Sequence, residues 1–458
     1  MSILISLALL VWLAYRGFSV LVLAPLLALL AVLLGGDTRL LAMYTQVFMA
    51  GLGGFLVKYF PLFLLGAIFG RLMNDSGSAD SIARAIVVRI GAKRAIMALV
   101  LSCGILTYGG VSVFVVAFAA YPIGAALYRE AGIPKRLIPG ALVLGSATFT
   151  MTALPGTPAI QNAIPMPYFG TDAFAAPLLG TIVGIVMFAG GMAWLTRRAT
   201  LAHRAGEGYG NHPTDIRVSN GVAGRPSLLT AIVPILLVIG LNLAFTRWLI
   251  PHMDTSYLAD AKFGKVTIND VRGVWSLIAA IFIAIVVAIA LHWRRWTDLK
   301  KSVNEGTMGS LLPIFNTASE VGYGSVIAAL AAFAVIRDAV VGFSPNNPLI
   351  SEAIAVNIMA GITGSASGGL SIALNMLGKT YLDLGNSAGI SPQLLHRVAA
   401  VASGGLDSLP HNGAVITLLA ICNLTHRESY LDIFMVSVVA PLGALVVLLA
   451  LGTTFGAF

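Results

Sequence analysis

Charge is scarce in this chain. Asp, Glu, Lys and Arg together make up 10 % of the 458 residues, where a soluble domain carries about 25 %. That shortage excludes a surface that faces water on all sides. With 58 % apolar residues and a mean hydropathy of +0.90, the chain reads as embedded in lipid. Cysteine is nearly absent too. Cys103 and Cys422 both lie in or beside apolar runs, which excludes a disulfide framework and a metal site of Cys spacing. No cofactor or metal is expected. Acidic residues number 19 against 28 Lys and Arg, yet the bases sit in short loops between apolar runs and not on one face. That distribution argues against a nucleic-acid partner and fits the positive-inside rule. The N-terminal run 3–14 lacks a basic lead and a small-residue cleavage site, so it reads as a retained span and not a signal peptide.

What is abundant is apolar sequence in blocks of about 20 residues, the length that spans a bilayer. Candidate spans lie near 2–15, 18–35, 46–70, 140–170, 174–196, 227–250, 273–293, 308–336, 397–424 and 430–455. Two more stretches, 95–127 and 349–378, are too long for one span and are broken by Gly and Ser midway. Each is expected to be a re-entrant hairpin of two short helices, since non-helical backbone at membrane depth survives only beside protein or a water-filled cavity.

Loop charge gives the orientation. Loop 71–94 holds five basic residues against two acids, and 197–225 holds the same. Arg294, Arg295, Lys300 and Lys301 crowd a third loop, so all three are expected on the cytoplasmic side. Loop 251–272 balances three acids with three bases and is expected outside. Hairpin 95–127 then enters from the cytoplasm and hairpin 349–378 from outside, with both termini external.

The chain also repeats itself 255 residues on. Thr152-Ala153-Leu154-Pro155-Gly156-Thr157-Pro158 aligns with Asp407-Ser408-Leu409-Pro410-His411-Asn412-Gly413, and Gly109-Gly110-Val111-Ser112 aligns with Gly364-Ser365-Ala366-Ser367. Each element of the first half is expected to cross opposite to its partner. The fold class is therefore an all-α polytopic membrane protein of two inverted repeats, each with a re-entrant hairpin and a broken transmembrane helix. The first half covers 1–196, a cytoplasmic linker 197–226, and the second half 227–458. Paired interruptions of this kind point to the binding site of a secondary transporter.

Chemistry is expected where the breaks lie. A proline removes a helix hydrogen bond and frees a carbonyl, and the exposed N-terminal ends and amides suit an anion such as a carboxylate. The candidate substrate-binding set is Thr107, Gly109, Gly110, Ser112, Thr152, Thr157, Gln161, Asn162, Gly364, Ser365, Ser367, Ser408, His411 and Asn412. The competing reading, close helix packing through small residues, does not account for Gln161, Asn162 and Asn412. No Lys or Arg lies within the breaks themselves. Ionisable residues at membrane depth are costly, about 2.5–3.5 kcal/mol at a helix centre on insertion scales. Glu320, Asp407 and His411 are the coupling-ion candidates on that ground. Their structural alternatives are a buried neutral carboxyl, a helix cap and a satisfied polar residue.

Leu65-Gly66-Ala67-Ile68-Phe69-Gly70, Ser319-Glu320-Val321-Gly322-Tyr323-Gly324, Thr363-Gly364-Ser365-Ala366-Ser367-Gly368 and Leu409-Pro410-His411-Asn412-Gly413 resemble the gluconate permease (GntP) family of the ion transporter superfamily. The resemblance covers nearly the whole chain. It implies an inner-membrane carrier for sugar acids and small hydroxy acids, usually proton-coupled. It also implies a homodimer with an elevator-like moving domain. Sugar-acid carriers of the family have a His- and Pro-rich first hairpin tip. Here that tip reads Thr107-Tyr108-Gly109-Gly110-Val111-Ser112, which points to a short monocarboxylate such as a 3-hydroxybutyrate-like acid. A sodium-coupled carrier is the main alternative, because Ser, Thr, Asn and carbonyl clusters also hold sodium. A channel would want a continuous polar lining. An intramembrane hydrolase using Asp407, Ser408 and His411 lacks an oxyanion motif. The chain is not expected to be an enzyme.

Overall fold

A computed structural model describes residues 2–16, 18–91, 94–212, 225–344, 347–410 and 412–458. No strand occurs among the described residues. That follows from the sequence, because only a helix satisfies every backbone donor and acceptor within its own segment when the surroundings are apolar. Among the described residues, five helices are long and apolar enough to cross a membrane: Leu40–Asp75, Pro177–Arg204, Leu228–His252, Ile268–Leu291 and His426–Phe455. The apolar helices Val20–Leu34, Ala95–Tyr108 and Pro348–Thr363 are shorter. Span 308–336 is a helix, Leu299–Ala329, followed by a 96° bend into a second helix that begins at Phe333. Large apolar side chains face outward on these elements, with Val57 83 % and Leu229 72 % exposed, as lipid contact permits.

The helix Leu299–Ala329 packs along Met49–Asp75, and small residues make the close approach possible. A methyl on Gly322 would lie 2.9 Å from the Phe48 carbonyl oxygen. One segment read as a basic loop behaves otherwise. Within 71–94, residues Ser78–Ile90 form an amphipathic helix, with Ala79, Ile82 and Ala83 buried and Arg84 bonded to Asp80 at 3.2 Å. Its charges lie on the outer face, so loop composition concealed a helix.

Both long, interrupted apolar stretches fold as pairs of helices joined by a tight tip. The first pair is Ala95–Tyr108 and Val113–Glu130, and the second is Pro348–Thr363 and Ala366–Ser387. Each tip needs a glycine. Gly110 has φ +93° and Gly364 has φ +60°, the left-handed region that costs other residues about 1–2 kcal/mol. Ser112 and Ser365 cap the second helix of each pair, accepting from the Val115 and Gly368 amides at 3.5 and 3.0 Å.

Both expected broken helices are broken. The helix Ile138–Ser146 gives way to the single turn Phe149–Thr152, then to non-helical backbone over 153–159, and resumes as Ile160–Ala163. In the second half Pro392–Ser403 stops, 404–410 is turn and bend, and Gly413–Ile421 follows Asn412. The same order of elements thus recurs at the same offset.

Candidate functional site

Each hairpin tip rests on the break of its own half. The Tyr108 hydroxyl donates to the Pro155 carbonyl at 2.6 Å, and a methyl on Gly110 would lie 3.1 Å from Pro158 Cγ. In the second half the Asn412 amide donates to the Gly364 carbonyl at 2.9 Å. The two breaks also meet: a methyl on Gly404 would lie 3.0 Å from the Thr152 methyl. Gly110 thus lies at the first break, Gly364 and Asn412 meet at the second, and Thr152 lies where the two breaks touch.

Four carbonyls of the first break accept from side chains. Thr152, Pro155, Gly156 and Thr157 accept from Arg397 at 3.4 Å, Tyr108 at 2.6 Å, Asn242 at 3.4 Å and Asn162 at 3.0 Å. Asn162 is fully buried and its amide is fully committed, donating to Thr157 and Ala173 and accepting from Arg397 at 3.2 Å. Because carbonyls can only accept, its nitrogen must face them and its oxygen must face His396 Nε2 at 3.1 Å. His396 therefore carries its proton on Nε2, and Nδ1 meets the Thr171 hydroxyl at 2.6 Å.

Arg397 is the residue the sequence reading missed. It is fully buried, and its guanidinium donates to the Ala175 carbonyl twice, at 2.7 and 3.1 Å, as well as to Thr152 and Asn162. None of these acceptors is a carboxylate. Asp172, close enough to act on Arg397 electrostatically, is itself paired with Arg272 at 3.6 Å. The available signal was Pro392, which starts a helix at its first turn. Starting the span at 397 placed the arginine at a membrane edge, whereas a helix from Pro392 carries it inward to the first break.

The second break has the opposite character. Asp407 is buried and accepts from the Ser408 hydroxyl at 3.1 Å. Asn412 caps the helix that follows, accepting from the Val415 amide at 2.9 Å, and also donates to the Asp407 carbonyl. Ser408 and Pro410 present carbonyls to Tyr430 at 3.1 Å and His426 at 2.9 Å. His411 lies outside the described residues. The expected Asp407/His411 pair therefore also falls outside the described residues, while 404–410 is turn and bend.

Glu320 is 5 % exposed, its Oε2 has no hydrogen-bond partner, and its carboxyl lies directly against Gly368 near the second tip. Thr317 and Ser367 approach at 3.5 Å, as do Ser365 and Ser367. Thr107 is buried with an unpartnered hydroxyl, and the Thr157 hydroxyl accepts from the Ala159 amide at 3.3 Å. Gln161 is half-buried beside the first break. Glu352, overlooked inside an apolar block, is fully buried with neither carboxyl oxygen bonded.

An all-helical, multi-pass architecture with tips seated on broken helices defines the class: a membrane transporter and not an enzyme. Residues 1–454 match the GntP family of permeases, and the chain belongs to that family. It is similar to an uncharacterized transporter, YxjC, of Bacillus subtilis, at 45 % identity over 450 residues and 95 % of each chain. The high-affinity gluconate transporter of Escherichia coli is 25 % identical over 380 residues, 79 % of this chain and 78 % of that one. Two solved transporters share the fold. Alcanivorax borkumensis YdaH has a TM-score of 0.58 at 16 % identity, covering 92 % of this chain and 90 % of its own. Neisseria gonorrhoeae MtrF, an antimetabolite efflux pump, has a TM-score of 0.57 at 13 % identity, covering 90 % and 84 %.

Proposed function

We propose that this permease imports a small monocarboxylate, a short hydroxy acid of the 3-hydroxybutyrate type in preference to a hexonate, by proton symport across the inner membrane. The observation that carries the reading is Arg397, a buried cation beside the first break with only neutral oxygens as hydrogen-bond partners. Buried charge is costly unless paired, and a substrate carboxylate at the adjoining break would complete the pairing electrostatically. With four of its carbonyls occupied and the Arg397 cation beside it, the first break offers a carboxylate positive potential. The gluconate transporter among the relatives supports an organic acid, while the small first tip favours a short one.

Glu320 and Asp407 are the proton carriers in this reading, together with His411, and Glu352 joins them as a candidate. The halves are inverted repeats, and the tips and breaks form the part that moves in an elevator step within a homodimer. A second reading has sodium as the coupling ion, favoured by the oxygens of Thr317, Ser365 and Ser367 near Glu320.

Uptake of labelled acids into proteoliposomes under imposed proton or sodium gradients tests both. Glu320→Gln, Asp407→Asn, His411→Asn and Glu352→Gln are compared with the native chain. Loss of gradient-driven accumulation with retained substrate exchange identifies a proton carrier. Full accumulation in all four variants removes proton symport and leaves sodium.

A further inference from the structure

Away from the breaks, the ends of three helices enclose a groove. It lies between the start of Ala95–Tyr108, the end of Val113–Glu130 and the last turns of Pro177–Arg204. One part has a volume of about 740 Å³ and an adjoining part about 600 Å³, and both share Met192, Thr196 and Thr200. Apolar walls come from Ile96, Met97 and Met192, and charge from Arg94, Arg197 and Arg204, with Glu130 the one acid. All three arginines are exposed.

Their neighbours differ from them in one respect. Arg198 is held by Asp432 at 2.9 Å, Arg136 by Glu207 at 2.7 Å and Arg84 by Asp80 at 3.2 Å. Arg94, Arg197 and Arg204 have no carboxylate within ion-pair distance among the described residues. The three cations of the groove are thus left without a protein counter-charge. Arg197 and Arg204 stand two turns apart on one side of their helix, with Leu201 between them, so charge and apolar surface run along the same line. That is the pattern of a diacyl lipid at the bilayer interface, acyl chains on the methionines and phosphate on the guanidinia.

We propose that this groove binds an anionic phospholipid. The site is separate from the breaks and stands whatever the substrate proves to be. The bound headgroup would bridge the first hairpin to the long helix Pro177–Arg204, joining two elements across the basic side of the molecule.

Native mass spectrometry of the full-length protein, with phosphatidylglycerol, phosphatidylcholine or inorganic phosphate added, tests the proposal. The native chain should retain phosphatidylglycerol and gain thermal stability from it, and should gain from neither of the others. Replacing Arg94, Arg197 and Arg204 together by Gln should weaken retention roughly 100-fold, given the usual contribution of a basic residue near an anionic lipid. The triple Lys variant, which keeps the charge, should retain most of it and controls for folding. Undiminished retention by a folded Gln variant overturns the proposal. So does equal retention of phosphatidylcholine, or equal stabilisation by phosphate alone.

Discussion

The first and second breaks share a backbone plan and differ in charge. The first is held by Arg397, has its freed carbonyls occupied by side-chain donors, and contains no acid. The second contains Asp407, sits on the same hairpin tip that Glu320 abuts, and contains no arginine or lysine. Shifting by 255 residues sets Arg397 against Leu142, Asp407 against Thr152 and Glu320 against Leu65. The repeat therefore fails at the ionisable positions and holds at Pro155 with Pro410 and at Gly109 with Gly364. The two breaks thus share a backbone plan and carry opposite charge, a buried arginine beside the first and buried carboxyls at and beside the second.

The largest effect that would break this comparison is expected at Arg397. Arg397→Gln should abolish uptake and lower stability by at least about 3 kcal/mol, because it unpairs buried oxygens at Ala175, Thr152 and Asn162. Arg397→Lys is the sharper instrument. Its apparent affinity for the acid should fall while that for an uncharged amide analogue stays level, and equal losses on both would show a purely structural arginine.

Next comes the tip. Gly364→Leu should cost about 1–2 kcal/mol through its left-handed backbone and abolish uptake, with a cooperative thermal transition retained. Normal transport in that variant would take the tip out of the site. Asn412→Ala should be milder, losing a helix cap of about 1 kcal/mol. It should also accelerate exchange of tip-lining cysteines with a membrane-impermeant reagent, which Asn162→Ala should not do.

The smallest effect lies outside the membrane, where the Arg136 guanidinium holds the Glu207 carboxyl below its ordinary range. A lowered carboxyl stabilises above its unfolded pKa, so this contribution should vanish as pH falls through the lower folded value. Glu207→Gln should remove that dependence and shift stability by less than about 1 kcal/mol, since Glu207 is exposed to solvent. A thermal-melt series across acidic pH would read it.

Much of the fold was legible because prolines, glycines and apolar block lengths act locally. The tips at Gly110 and Gly364 and the breaks near Pro155 and Pro410 follow from residues that cannot continue a helix. Arg397, His396 and Glu352 were not legible in that way. Arg397 and His396 meet their partners across 222 to 245 positions of chain, and the burial of all three is encoded by no local pattern. Ser78–Ile90 was missed for a related reason: an amphipathic helix with charges outward has the composition of a loop.

Asn412 donates with the same side-chain nitrogen to the Gly364 and Asp407 carbonyls while its oxygen caps the following helix. Lifting the tip therefore breaks one polar contact and leaves the rest of the asparagine in place. With water free to take up the parted groups, that contact is worth about 1 kcal/mol, roughly a five-fold bias in population. A contact of that size would bias the tip toward its seat on the break without imposing a slow step, so thermal motion would be enough to part them.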